Sequence, residues 1–182
     1  PGWHVGEDRK SLYYDPADGL PFDPAAARKL LADAGYGPGG KRFETIDEET
    51  GTPRPPRLLI NEGGVHRPIA EAVRKMWLDN LGVAVEIDMQ ITAIFRSRLK
   101  EHHFDIARAN WFTDYGDPTG YLEMFRTGDG NNDGQFESPR FDGLMNQSDD
   151  TADPAKRFEL IQQAERVLVV EQCGVAPVYQ YV

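Results

Sequence analysis

Apolar and polar positions in this chain repeat with two different periods, and the changes between them mark out the elements. Leu58-Leu59-Ile60 is an unbroken apolar run between Arg57 and Asn61, the mark of a short strand buried on both faces. Residues from about Arg67 to Asn80 follow helical spacing. Leu81 to Met89 reads as a second strand, Thr92 to Lys100 as a second helix and Phe104 to Asn110 as a third strand. Strands separated by helical segments of this length imply right-handed βαβ crossovers and a largely parallel sheet. Further helices are expected near Thr119–Phe125, Pro139–Asn146 and Pro154–Glu171. The last has Asp153 to cap it and an apolar set at Phe158, Ile161, Ala164, Val167 and Leu168. Val175 to Val182 reads as a final strand returning to the sheet.

Upstream, Asp23-Pro-Ala-Ala-Ala-Arg-Lys-Leu-Leu-Ala-Asp-Ala-Gly35 is a helix with both ends marked. Asp23 can cap it, Pro24 suits the first helical position and Gly35 supplies a left-handed stop. Residues 1–22 are rich in Pro, Gly and Tyr without periodicity and read as an extended leading segment. Residues 37–56 carry Gly, Pro and charge with few apolar positions, which predicts a long surface loop. The expected class is α/β, a largely parallel or mixed sheet with helices on both faces.

Composition narrows the function classes. With 182 residues and 40% apolar content, and a mean hydropathy of -0.56, one globular domain with a substantial core is expected. No apolar run approaches the roughly 18–20 residues that span a bilayer. A net charge of -10 repels phosphate backbones, so no nucleic-acid partner is expected. The single cysteine, Cys173, excludes an intramolecular disulfide and a multi-cysteine metal site; its context predicts a buried structural thiol. The start at Pro1-Gly-Trp-His, without initiator Met or signal peptide, and the strand-like Pro177-Val-Tyr-Gln-Tyr-Val182 at the other end lead us to expect a piece of a longer protein.

The chemistry concentrates in Phe104-Asp-Ile-Ala-Arg-Ala-Asn-Trp-Phe-Thr-Asp-Tyr-Gly-Asp-Pro-Thr119, where a strand gives way to a polar loop. Ligands of open parallel sheets bind beyond the carboxyl ends of the strands, which is where Arg108, Trp111, Phe112 and Asp114 fall. Each also has a plain structural reading. Arg108 can pair with one of the 30 acidic residues, Asp114 can bond its own turn, and Trp111 can simply pack. His66, after Gly63-Gly64, stands at another strand's carboxyl end and reads equally as a capping or surface residue. His102 and His103 are adjacent and point apart on any regular element, so no metal centre is expected. No phosphate loop, nucleophile elbow or His-Glu-x-x-His motif occurs. Asp114 and Asp117 share a polar loop with nothing to desolvate them, so catalysis has no positive support and no cofactor is expected.

The 104–119 segment closely resembles the cleft segment of periplasmic oligopeptide-binding proteins, the type II solute-binding receptors of peptide ABC importers. Further matches are Asp23 to Tyr36, His66 ahead of Ile69-Ala-Glu-Ala-Val-Arg-Lys-Met-Trp77, and Asn80-Leu-Gly-Val-Ala-Val85. Asn131-Asn132, Ser138-Pro-Arg-Phe-Asp-Gly-Leu-Met145 and Ala176-Pro-Val-Tyr-Gln-Tyr-Val182 also match. The resemblance implies a lobe that encloses an extended oligopeptide against a second lobe by strand addition. Asp114 would then meet the peptide's α-ammonium, while Arg108 and His66 would meet its carboxylate. Ala109, Asn110, Trp111 and Phe112 would supply strand edge and aromatic walls, and Asn131 and Tyr181 would line side-chain pockets. Two positions depart: Thr92 stands where a cleft tryptophan is expected, and Leu99 where an arginine is, with Arg98 beside it. The implied partners are the peptide, the membrane subunits of a permease and a missing N-terminal lobe, and the implied setting is periplasmic. Within the family the ligand could instead be a dipeptide, murein peptide or opine. Outside it, the rivals are a hydrolase using the acidic loop and His102 or His103, and a structural or adhesion module.

Overall fold

The computed structural model describes residues 20–37, 39–114 and 116–178, which fall into two compact units, Phe22–Asn110 and the residues from Trp111 onward. In the first unit the order is α1 (Pro24–Asp33), β1 (Thr45–Ile46), β2 (Pro53–Arg54), β3 (Arg57–Asn61), α2 (His66–Leu81), β4 (Glu86–Gln90), α3 (Thr92–Lys100) and β5 (Ile106–Ala107). Asp23 accepts hydrogen bonds from the Ala25 and Ala26 amides at 3.0 and 2.9 Å, so α1 begins where its cap lies.

Three strands make a parallel sheet in the order β4-β3-β5. The chain leaves β3 towards one side through α2 and crosses back to the other side through α3. Right-handed crossovers in opposite directions put the two helices on opposite faces. The central strand is accordingly covered from both sides, with Leu59 and Ile60 each 1% exposed. Leu58 and Ile60 share a core with Ala70, Val83 and Val85, joined by Trp77, Leu81, Ile87 and Ile106. The both-faces-buried reading of Leu58-Leu59-Ile60 holds for this reason.

Three expectations change in this unit. The second strand begins at Glu86 rather than Leu81. Leu81 sits one helical turn beyond Trp77 and packs on the same core, and Gly82, at φ 68°, stops α2 in the left-handed conformation. The 37–56 stretch is not simply a loop, since β1 and β2 pair there as an antiparallel hairpin. Arg54 ties it down by donating from Nη1 to Asp105 Oδ2 at 2.6 Å, with Asp47 3.3 Å from its Nε. Asp105 also accepts from the Arg57 amide at 2.8 Å. Two-residue strands leave no readable period. The third strand is only Ile106–Ala107, because β5 pairs with β3 at just Leu58 and Leu59.

The second unit is helical. It contains α4 (Thr119–Leu122), continued by a 3₁₀ turn at Glu123–Phe125, then α5 (Pro139–Asp149) and α6 (Pro154–Arg166), which a π turn extends over Val167–Glu171. Ser138 caps α5 through the Phe141 amide, and Asp153 caps α6 through the Lys156 amide. Leu122, Phe141, Met145, Ile161, Ala164, Val167 and Leu168 form its core. Four of the five apolar positions expected to line the last helix lie in that core, and the fifth, Phe158, is also buried. Cys173 is exposed rather than buried, at φ 50° just past the π turn. The next residue, Gly174, is exposed as well but runs close against Phe136. A Cβ on Gly174 would fall 2.4 Å from the Phe136 ring. The expected final strand is absent over residues 175–178, and its remainder, 179–182, lies outside the described residues.

Candidate ligand-binding site

In a sheet ordered β4-β3-β5, the connections diverge between β3 and β5, and the crevice expected of open α/β sheets lies at their carboxyl ends. Asn61 closes β3 there, and Arg108 directly follows β5. The Arg108 amide donates to the Leu59 carbonyl at 2.9 Å, which extends the ladder by one bond. Its guanidinium Nη1 donates to Asn61 Oδ1 at 3.0 Å. Asn61, which the sequence reading did not single out, thus orients a cation at the crevice. Its signal was its place as the last residue of the central strand, informative only once strand order is known.

His66 opens α2 beside this pair. The turn from β3 into α2 runs through Gly63 and Gly64 at φ 97° and 54°, a route that disfavours side chains. The position before the helix is Val65, which provides no side-chain cap. His66 therefore does not cap the helix, and its Nδ1 is buried with no hydrogen-bond partner. Burial, and then the nearby Arg108 charge, hold its pKa below the ordinary 6.5. A histidine whose charged form is opposed by an arginine marks a region of positive potential, which an anion would relieve. Ala109 and Asn110 follow Arg108 beyond the ladder and are exposed.

In the second unit, Trp111 donates its indole Nε1–H to the Gly120 carbonyl at 2.8 Å, and the residue stays 38% exposed. The polar end of the ring is satisfied internally, so its exposed part offers apolar surface. Phe112 is 63% exposed, and Asp114 is exposed as well. Asp117 differs. Its Oδ1 accepts from the Thr119 amide at 3.0 Å, the Thr119 hydroxyl at 2.6 Å and Arg157 Nη2 at 3.0 Å. Its Oδ2 accepts from Arg157 Nη1 at 2.8 Å. Burial raises its pKa, but these bonds outweigh burial and bring it down to about 2. Two carboxylates three residues apart are thereby separated: Asp117 is occupied by its own fold, and Asp114 faces outward.

Asn131 is exposed, its amide donating to Asp129 Oδ1 at 2.8 Å. Its neighbour Asn132 is buried and bonds Arg126 and Phe136, so it holds the loop's shape. Tyr181 lies outside the described residues. Of the two departing positions, Thr92 is the first residue of α3, and Arg98, beside Leu99, is ion-paired with Asp88 of β4. His103 Nδ1 lies 3.4 Å from Glu101, and among the described residues no His, Cys, Asp and Glu group has metal-binding geometry.

A parallel sheet wound in both directions, with helices on both faces, is the fold of one lobe of a type II periplasmic binding protein, the class of its structural neighbours. The chain belongs to the bacterial extracellular solute-binding proteins, family 5, whose middle-region model matches residues 3–133. It is 40% identical over 126 residues, 69% of this chain and 23% of the relative, to the oligopeptide-binding protein OppA of Bacillus subtilis. It is 36% identical over 156 residues to the periplasmic oligopeptide-binding protein OppA of Salmonella typhimurium, covering 86% of this chain and 26% of the relative. The crystal structure of a Borrelia burgdorferi periplasmic oligopeptide-binding protein matches with a TM-score of 0.78 and 26% identity, over 96% of this chain and 31% of that one. The Escherichia coli murein tripeptide binding protein MppA matches with a TM-score of 0.77 and 29% identity, over 94% and 34%. The chain thus spans about a quarter to a third of the relatives it matches.

Proposed function

We propose that this chain is most of the second lobe of an extracytoplasmic receptor that binds oligopeptides and delivers them to an ABC permease, without catalysing a reaction. The observation that carries the reading is the grouping of Asn61, His66 and Arg108 at the carboxyl ends of β3 and β5 in a member of this family. Its relatives, oligopeptide- and murein peptide-binding proteins, suggest the ligand class. Arg108 and His66 receive the peptide's carboxylate. Asp114 receives its α-ammonium through a charge-assisted bond, which is stronger than a neutral one. Ala109, Asn110, Trp111 and Phe112 offer backbone and aromatic surface. Asn131 and Tyr181 belong to side-chain pockets, where water can adapt to varied side chains. A first lobe elsewhere in the full-length protein closes the cleft.

The saturation of Asp117 supports the choice between the two acids, since four donors leave its carboxylate little capacity for a ligand. In the full-length receptor, titrated with a peptide pool by calorimetry, Asp114→Ala is expected to weaken binding about a hundredfold or more. Asp117→Ala is expected to cost far less. Equal losses would sink the ammonium assignment. Peptide recovered intact after binding supports the receptor, whereas cleaved peptide would favour a hydrolase.

A further inference from the structure

We infer that Asp117 and Arg157 are positioning residues, a clamp that holds the loop carrying Asp114 in its binding geometry although neither touches the ligand. The inference rests on the reading of Asp114 as the ammonium site. The loop is tied at both ends to one short turn. At its start, the Trp111 indole is bonded to the Gly120 carbonyl. At its end, Asp117 accepts from Thr119 twice and from Arg157 twice. Thr119 and Gly120 are themselves buried, so each tie reaches a packed part of the turn. Asp114 lies between them, exposed.

Arg157 comes from a rigid element. It sits in the first turn of α6, next to Phe158, which is 4% exposed, and downstream of the Asp153 cap. Its two parallel bonds to one carboxylate fix direction as well as distance, a geometry that lysine cannot reproduce. The pair is only part-buried, with side-chain exposures of 29% for Arg157 and 33% for Asp117. A pair so placed contributes little to global stability. Its effect falls on the local freedom of the loop. Without the clamp, ordering Asp114 against a ligand must be done at the moment of binding, at a cost in affinity.

The test uses the full-length receptor and two versions of one peptide, with a free and with an acetylated N-terminus. Kd is measured by calorimetry for the wild type, Arg157→Gln, Arg157→Lys, Asp114→Ala and the Asp114→Ala/Arg157→Gln double variant. Arg157→Gln is expected to weaken the free-ended peptide about five- to tenfold. Arg157→Lys should recover part of this, and the acetylated peptide should be nearly unaffected. In the Asp114→Ala background the second substitution should add little, because the group being positioned is gone. An unchanged Kd, or an equal loss for the acetylated peptide and in the Asp114→Ala background, would make the pair merely structural and overturn the inference alone. An Asp114→Ala variant that binds like the wild type would overturn the ammonium site, and the inference with it. Should Arg157→Gln fail to fold, Thr119→Val, which removes one of the four donors, reads the same pattern with a smaller loss.

Discussion

At the amino end of the parallel sheet, Arg54 meets Asp105 at 2.6 Å and Asp47 at 3.3 Å, and the Arg57 guanidinium lies 3.4 Å from Asp47. At the carboxyl end, Arg108 meets the neutral amide of Asn61 and raises the potential around His66. The same residue type is thus held in two ways at the two ends of one sheet. Where positive charge is matched by carboxylates, the acids respond. Burial pushes the Asp105 pKa up, but the Arg54 and Arg57 bonds hold it below the usual range. At Arg108, bonded to Asn61, the field also falls on a histidine. Carboxylate-bound arginine ties down a hairpin at one end, and at the other an arginine sits close enough to His66 to oppose its protonation. The two ends of one sheet thus hold arginine in different electrostatic settings.

Three experiments press on that contrast. Arg54→Ala should have the largest effect and should act on stability. It removes the charged partner of Asp105 and one of the two near Asp47, and should cost about 1–3 kcal/mol in urea unfolding while leaving peptide affinity unchanged. A loss of affinity there would break the division. Arg108→Gln should do the reverse in the full-length receptor, weakening peptides with a free carboxylate about tenfold, with stability within about 0.5 kcal/mol of the wild type.

The smallest effect is the pH dependence at His66. Its folded pKa is lowered, so its contribution to stability is present above pH 6.5 and fades as pH falls through the folded value. A bound carboxylate favours the protonated ring, so binding takes up a proton. Affinity for a free-ended peptide should therefore rise a few-fold as pH drops from 7.5 towards the lowered pKa, on the order set by a modest shift. An amidated peptide should lack that rise. A flat profile with both peptides would remove His66 from the carboxylate site.

Much of the fold was legible because its signals were local. Thr92–Lys100 emerges with the expected bounds, and the caps at Asp23 and Asp153 act as their spacing implied. What escaped was set by distant partners. The β1–β2 hairpin depends on Asp105, about fifty residues along the chain from Arg54. Strand β5 is short, pairing with only two of the five residues of β3, which no pattern within 104–110 reveals. At the candidate site, the sequence singles out Arg108 and His66 by their places after strands. Asn61 and Arg157 were missed, since an amide ending a strand and an arginine on a polar helix face are ordinary until their partners are known.

The covered central strand also sets a clock for this unit. Amides open to solvent at rates that follow the local free energy of unfolding, and Leu59 and Ile60 lie under both helices with ladder partners on β4. Deuterium should enter them last, long after the loops that flank the crevice have exchanged. Arg108, whose amide hangs on the Leu59 carbonyl, borrows part of that slowness. The Arg108 backbone is thereby anchored to a slow-opening part of its unit.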